Sequence, residues 1–392
     1  MFHTSSIELS PEALENNLSY VRSIIGNETI FSSVVKGNAY GHGIEQFVPM
    51  AYEAGIRHFS VHSADEAIRV FSTVDNADTT IMIMGFLSGE SLQWAINHNI
   101  EFFVFDFERL EEALQIASQN EGKARVHIEL ETGMNRTGFK PESLEKLCKI
   151  FVENQDHLHL AGICTHFAGA ESISNWVRIQ EQKKIFQEGL EFFEQSGLNP
   201  DYRHACCSAA MIRFPDMHLD LVRVGIMQFG FWPSREIFIE TIKQYDYRED
   251  PLKRVISWKS RVMSIKEVTL GEYIGYGTTF LAQKDMRIAI IPVGYSHGFS
   301  RSLSNQGRIV IRGHRTSVVG LVNMNNLMID ITDMPEAAVG DEVTLIGRDG
   351  EAEVTVSSFG ELSDQLNYEL LTRLPHNIPR TIKEPYGIHR TV

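Results

Sequence analysis

One lysine stands at the end of an apolar run. In FSSVVKGNAYGHG, residues 31–43, Val34 and Val35 deliver Lys36, and Gly37, Asn38, Gly41 and Gly43 follow at once. The pattern predicts a buried strand, a tight turn and then a helix. An amine placed there is costly to desolvate unless it has a partner or a task. A desolvated lysine can act as a base or as a Schiff-base nucleophile. On spacing alone, a lysine that snorkels out at a strand end is an equal alternative. Polar residues recur just past other apolar runs: His62, Arg136, His166, Ser208 and Arg223. Each of these alone is an ordinary satisfied polar residue. Placed together on one face of a fold, they make a site.

The elements that must position them alternate. Strand candidates cover 31–35, 58–61, 79–84, 101–105, 124–130, 159–165, 202–206 and 220–226. Helical patterns lie between most of them, at 44–54, 64–72, 89–97, 107–118, 142–153 and 172–192, with a shorter link after residue 206. Ser10-Pro11 opens an earlier helix with a cap residue followed by a proline at the first helical position. Eight strands with intervening helices predict an α/β fold, a (β/α)8 TIM-type barrel, whose ligands bind at the C-terminal ends of the strands. An open doubly wound sheet is the alternative, but no GxGxxG follows an early strand.

After residue 240 the texture changes to short β patterns at 255–262, 265–270, 287–293, 308–312, 316–322, 327–331, 341–346 and 352–357, punctuated by Gly307, Gly313, Gly340 and Gly350. The expected division is a barrel over 1–240, whose first residues can pack with the second domain, and a mainly β C-terminal domain over 241–392. Residues 236–250 are the expected linker.

Composition narrows the function classes. The chain of 392 residues is 43% hydrophobic and 22% charged, with a formal net charge of -15. That balance suits a folded enzyme and argues against nucleic acid or an anionic membrane as partner. Cys148, Cys164, Cys206 and Cys207 form no repeated CxxC pattern, so neither a structural zinc site nor a disulfide scaffold is expected. The N-terminus lacks a basic start and an apolar core, and no apolar run reaches transmembrane length, so a cytoplasmic location is expected.

The motifs taken together resemble the alanine racemase family. VVKGNAYGHG is similar to its cofactor-lysine motif. The likeness continues through ETGMNRTGF at 131–139, THFAGA at 165–170, SAA at 208–210, VRVGI at 222–226, GYGTTF at 275–280, PVGYSHGFSR at 292–301 and NMNNLMID at 323–330. The resemblance implies a barrel that binds pyridoxal 5'-phosphate, followed by a β domain, in a homodimer whose active sites are shared between subunits. It implies that Lys36 holds the cofactor covalently and serves as one acid–base group. Tyr276 would be the opposing group, supplied by the other subunit. Arg223 would face the pyridine nitrogen, and His166 would lie near the ring, in a hydrogen-bond network with Arg223 and Tyr276. Tyr40, Ser208, Gly225, Ile226 and Tyr368 would surround the phosphate. Arg136, Met324 and Asn325 would face the substrate, with Arg136 also near the cofactor phenolate.

The implied chemistry asks for these types. Racemisation needs a proton acceptor on one face of the substrate Cα and a donor on the other, the roles of Lys36 and Tyr276. A phenol titrates near 10, so Tyr276 needs nearby cations. A guanidinium stays protonated, so Arg223 would not hand a proton to the pyridine nitrogen. Against the family pattern, Glu129 stands where a carbamylated lysine is common, and its carboxylate could orient Arg136. Asn323, Asn325 and His297 also depart from the pattern.

The leading expectation is a racemase of L- and D-alanine that supplies D-alanine for peptidoglycan. A racemase of serine or of a broader amino-acid set is the first alternative. A decarboxylase on a related barrel has no need of two opposed acid–base groups and usually places an acid where Arg223 stands. A nonenzymatic pyridoxal-phosphate-binding protein would have no reason to keep Tyr276.

Overall fold

The computed structural model describes residues 3–383 except 76, 120, 121, 246, 248 and 364–366, with the side chains of 360–363 also outside the description. The chain divides into two compact units. The first comprises Ala13–Lys36 and Val48–Lys253. The second takes the start of the chain through Glu12, then Gly37–Phe47, then the chain from Arg254 onward.

After strand β1 (Ser5–Leu9), which belongs to the second unit, eight parallel strands build the first: β2 (Ile30–Val34), β3 (His58–Val61), β4 (Thr80–Ile83), β5 (Glu101–Val104), β6 (Ala124–Glu129), β7 (Leu158–Cys164), β8 (Tyr202–His204) and β9 (Leu221–Val224). Their order is β8-β7-β6-β5-β4-β3-β2-β9. The ends of that row meet through a parallel bridge between Cys207 and Arg223, where the Arg223 N–H donates to the Cys206 carbonyl at 3.0 Å. The sheet is thereby a near-closed barrel. Its strands are covered on both faces, so they read as apolar runs rather than alternating ones; β3 and β5, for example, are buried throughout.

Helices return the chain between strands. Ala64–Phe71, Gly89–Asn97, Phe107–Ser118, Leu144–Glu153 and the 20-residue Trp176–Gln195 fall within the expected stretches, give or take a few residues. Asp106 caps one of them by accepting the Arg109 N–H at 2.8 Å. After β8 the link is the short helix Ser208–Arg213. The expected linker at 236–250 is instead largely the helix Arg235–Tyr245, which the Ser234 hydroxyl caps by accepting the Ile237 N–H at 3.2 Å.

In the second unit, β1 pairs antiparallel with β10 (Ile256–Arg261) and parallel with β18 (Arg380–Ile382). That sheet continues through β16 (Glu342–Asp349), β13 (Arg308–Ile311) and β14 (His314–Ser317), with β17 (Ala352–Val354) on β16. A three-stranded sheet joins β11 (Ser264–Val268), β12 (Met286–Ile291) and β15 (Leu327–Asp330). The strand expected at 316–322 begins earlier, at His314. Arg312 and Gly313 both have positive φ, 51° and 76°, and close a two-residue hairpin in which Ile311 pairs with His314. The strand expected at 352–357 stops at Val354 and gives way to the helix Val356–Ser363.

Candidate active site

The barrel gathers Lys36, Arg136, His166, Ser208, Arg223, Gly225 and Ile226 at the C-terminal ends of its strands. Lys36 follows β2 by two residues and is solvent-accessible in the barrel mouth. The surrounding protein, then the guanidinium groups of Arg136 and Arg223, push its ammonium below the usual lysine range, against a smaller opposite pull from Glu66. The turn after Lys36 is left-handed. Gly37, Asn38, Ala39, Tyr40 and Gly41 have φ of 63°, 56°, 52°, 50° and 79°. Left-handed backbone costs roughly 1–2 kcal/mol for each residue with a side chain. Local bonds offset this: Gly41 N–H donates to Gly37 O at 3.0 Å, and Asn38 Oδ1 accepts the Ile44 N–H at 3.2 Å. His42 Nδ1 lies 3.0 Å from both the Ala39 and Tyr40 carbonyls.

Arg136 rides on an excursion from the end of β6. The loop returns on itself through Glu131 N–H to Phe139 O at 2.9 Å and Phe139 N–H to Glu129 O at 2.8 Å. Gly138 has φ +115°, and a Cβ there would lie 2.6 Å from Glu131 N. Arg136 Nη2 stands 3.6 Å from Glu129 Oε1, while the Thr137 hydroxyl donates to Glu129 Oε2 at 2.6 Å.

His166 follows β7. Gln182, fully buried, holds that segment by donating to the His166 carbonyl at 3.0 Å and accepting the Ala168 N–H at 2.8 Å. Burial, followed by the charges of Arg223, Arg136 and Lys36, lowers the His166 pKa to about 3, so its imidazole is neutral. Arg223 is buried and donates to His204 Nδ1, to the Thr165 carbonyl at 2.7 Å and to the Ala205 carbonyl at 3.2 Å. Ser208 opens the helix after β8, and its Oγ accepts the Gly225 N–H at 2.9 Å. Gly225 leads into the turn Ile226–Phe229, where buried Gln228 donates to the Val34 and Val224 carbonyls at 2.9 and 3.0 Å.

The second unit carries the other expected residues: Tyr40, Tyr276, Met324, Asn325 and Tyr368. The rings of Tyr40 and Tyr368 lie 5.9 Å apart. Tyr276 is 70% exposed, between Gly275 and Gly277 with φ of 76° and 68°. The motifs at 292–301 and 323–330 come together. The Ser296 hydroxyl donates to the Met324 carbonyl at 2.7 Å, Asn325 Nδ2 donates to Ser296 Oγ at 3.0 Å, and the Gly294 N–H donates to His297 Nδ1 at 3.2 Å. Asn325, Asn323 and His297, the departures from the family pattern, therefore lie in one pair of knitted loops.

The family model "Alanine racemase, N-terminal domain" matches residues 9–233, and "Alanine racemase, C-terminal domain" matches 255–382. The chain belongs to the alanine racemase family. An alanine racemase of Leptospira interrogans is 34% identical over 380 residues, covering 97% of this chain and 96% of that protein. The solved alanine racemase of Clostridium difficile 630 superposes with a TM-score of 0.89 at 26% identity, over 98% of this chain and 96% of that one. The Bacillus anthracis alanine racemase with bound L-Ala-P gives 0.87 at 29% identity, over 98% and 96%.

Alanine racemases are amino-acid racemases that depend on pyridoxal phosphate. The barrel mouth fits that cofactor. It offers a primary amine held below the usual lysine range, beside two guanidinium groups. It also offers the hydroxyl of Ser208, whose oxygen accepts the Gly225 N–H and whose own proton is left to donate to an anion.

Proposed function

We propose that this alanine racemase family member interconverts L- and D-alanine by a two-base route, as a homodimer that binds pyridoxal phosphate in each barrel. Bound there, the cofactor draws electrons from the substrate Cα and acidifies its proton. Lys36 holds it and, as a free amine, takes or returns a proton at Nζ on one face of Cα. Tyr276 of the partner subunit does the same at Oη on the opposite face. Arg223 keeps its guanidinium charged beside the pyridine nitrogen and moves no proton. His166, neutral, packs against the ring. Arg136 receives the substrate carboxylate, with its guanidinium steadied by Glu129. Ser208, Gly225 and Ile226 hold the phosphate, and Tyr40 and Tyr368 are assigned to the same phosphate on the resemblance. Met324 and Asn325 border the substrate entrance.

The observation that carries this reading is the placement of Lys36 just past β2 at the barrel mouth, where the surrounding protein and then the charges of Arg136 and Arg223 hold its ammonium below the usual lysine range. A lowered ammonium gives up its proton more readily than that of an ordinary lysine. The exposure of Tyr276 and Met324 supports a second copy as the surface they meet. Among the described residues no helix is long and apolar enough to cross a membrane. We assign the protein to the cytoplasm and its D-alanine to peptidoglycan.

Chiral analysis of products from L-alanine, L-serine and larger amino acids tests the assignment. Formation of D-alanine in preference to the other enantiomers supports it. Turnover of serine with alanine inert would replace alanine by serine, and cofactor absorbance without any inversion would leave only a binding protein.

A further inference from the structure

Part of the barrel interior is polar where apolar branched side chains would ordinarily fill it. Glu101 at the start of β5, His127 in β6, His204 at the end of β8 and Arg223 in β9 are all at most 5% exposed. They form a continuous row. Arg223 donates to His204 Nδ1. His204 Nε2 lies 2.8 Å from His127 Nδ1, and His127 Nε2 lies 2.9 Å from Glu101 Oε2. Glu101 Oε1 then accepts from Arg125 Nη2 at 2.8 Å. The barrel makes room for the row: a Cβ on Gly162 of β7 would sit 2.1 Å from His127 Nδ1.

The two ends of this row dictate its protons. A guanidinium only donates, so His204 Nδ1 must accept and the His204 proton must sit on Nε2. His127 Nδ1 must then accept that proton, so its own lies on Nε2 and points at Glu101. An ionised carboxylate only accepts, which closes the sequence. Every donor points the same way, from Arg223 to Glu101, through two neutral imidazoles. The electrostatics agree. Burial lowers both His127 and His204 below the ordinary imidazole range, and the nearby charge of Arg223 adds to the effect. Burial works against the Glu101 charge, but His127 and His58 more than reverse it and hold the carboxyl below its usual range. Also facing the row are His58, 3.8 Å from Glu101, Tyr202, stacked 6.3 Å from His127, and Phe103, whose ring lies 6.0 Å from His127 and 5.9 Å from His204.

We infer that Glu101, His127 and His204 form a one-way hydrogen-bonded chain through the barrel that fixes the hydrogen-bond direction of Arg223, making Glu101 and His127 positioning residues for it. If His204 took the other tautomer, its Nδ1–H would face the Arg223 N–H, donor against donor, and the guanidinium would leave its place. Glu101 thus sets the orientation of a residue three groups away, as a buried acid sets the tautomer of a catalytic histidine. The catalytic consequence rests on the reading that Arg223 serves the cofactor.

The test has two arms on the cofactor-loaded protein. Long-range 15N–1H correlation spectra of histidine-labelled protein should show His127 and His204 neutral, both protonated at Nε2. A cation or an Nδ1–H form at either ring overturns the chain, whatever the protein catalyses. The second arm compares His127→Gln with His127→Leu. A glutamine amide can accept from His204 and donate to Glu101, so it preserves the direction; leucine fills the space and breaks it. We expect the glutamine variant to keep kcat within a fewfold. The leucine variant should lose about tenfold to a hundredfold in kcat, with KM little changed and a mixed His204 tautomer. Equal kcat in the two variants, or a better leucine variant, contradicts the positioning role. If neither variant folds, the spectrum of the unsubstituted protein still decides the chain. Correct tautomers in a protein that inverts no amino acid would leave the chain standing and remove the racemase reading.

Discussion

Arg136 Nη2 stands 3.6 Å from Glu129 Oε1, and the Thr137 hydroxyl, 2.6 Å from the other carboxylate oxygen, holds that acid in place. The pair joins a mostly buried carboxylate to a half-exposed guanidinium. Its worth to stability is small, on the order of 1 kcal/mol or less. Under the proposed function, its worth to catalysis would lie in where it holds the guanidinium. Glu129→Ala is expected to raise the KM for alanine severalfold and to lower kcat/KM by about tenfold, a loss of roughly 1.4 kcal/mol. Steady-state kinetics beside a urea denaturation curve check both halves: a large stability loss with unchanged kcat/KM would make the pair structural only.

Lys36 provides a second prediction. Arg136 and Arg223 contribute to lowering its ammonium pKa. Replacing Arg136 by Leu removes one of these charges and raises that pKa. Covalent capture of pyridoxal phosphate needs the free amine, so its midpoint must move to higher pH. Stripping the protein of cofactor and following the recovery of absorbance across pH measures the shift. An unchanged or lower midpoint contradicts it.

How far these features can be read from the sequence depends on burial. Parallel strands covered on both faces show as apolar runs, and their spacing with intervening helices is enough to indicate a barrel. Lys36 stands out because a charge ends such a run. The left-handed turn after it is not legible, because Ala39 and Tyr40 carry no preference for positive φ; the close approach of the Leu371 backbone to Gly41 helps to impose it. The polar pair His314-Arg315 after Arg312–Gly313 hides where the second strand of that hairpin begins, and charge hides the helix at Arg235–Tyr245, although Ser234 is a visible cap. Residues of the site itself come from motif likeness rather than periodicity. Gln182 and Gln228, which fix the backbone under it, match no motif. His127 does carry a signal in the sequence: an imidazole between Val126 and Ile128 in an apolar run needs a partner once it is buried.

The turn after Lys36 makes a third prediction. Gly41 has φ +79°, and a Cβ there would lie 1.9 Å from the Leu371 carbonyl oxygen. Both strain and collision oppose any side chain. Gly41→Ala should cost about 3 kcal/mol or more, or prevent accumulation of folded protein. Thermal unfolding reads the result, with Gly26→Ala as the control, since Gly26 also has positive φ but a Cβ there would meet no atom within 4 Å. Equal losses at the two sites would show that backbone strain alone is at work.

Stability should fall with acid. His42 is buried, and burial, with a smaller push from Arg380, lowers its pKa to about 4. The unfolded imidazole titrates near 6.5, so below that pH the unfolded chain binds a proton that the folded chain refuses. The stability from this group is complete above about pH 6.5 and is lost as pH falls toward 4, about 2 kcal/mol of it by pH 5. His42→Asn, which keeps an N–H donor and cannot titrate, should lose that share of the pH dependence. Urea midpoints at pH 8 and pH 5 for both proteins give the comparison. Identical pH dependence in the two would mean that His42 is not buried neutral.

The central claim is that two residues on opposite faces of the substrate move the Cα proton. Its most direct measurement is exchange of the alanine Cα proton in deuterated water, followed with chiral analysis, for the parent and for Tyr276→Phe. The parent should exchange and invert both enantiomers. The Tyr276→Phe protein should bind cofactor normally, exchange the proton of only one enantiomer through Lys36, and lose inversion by a factor of about a hundred or more. A variant that still racemises at the parent rate, or that exchanges both enantiomers equally, contradicts it.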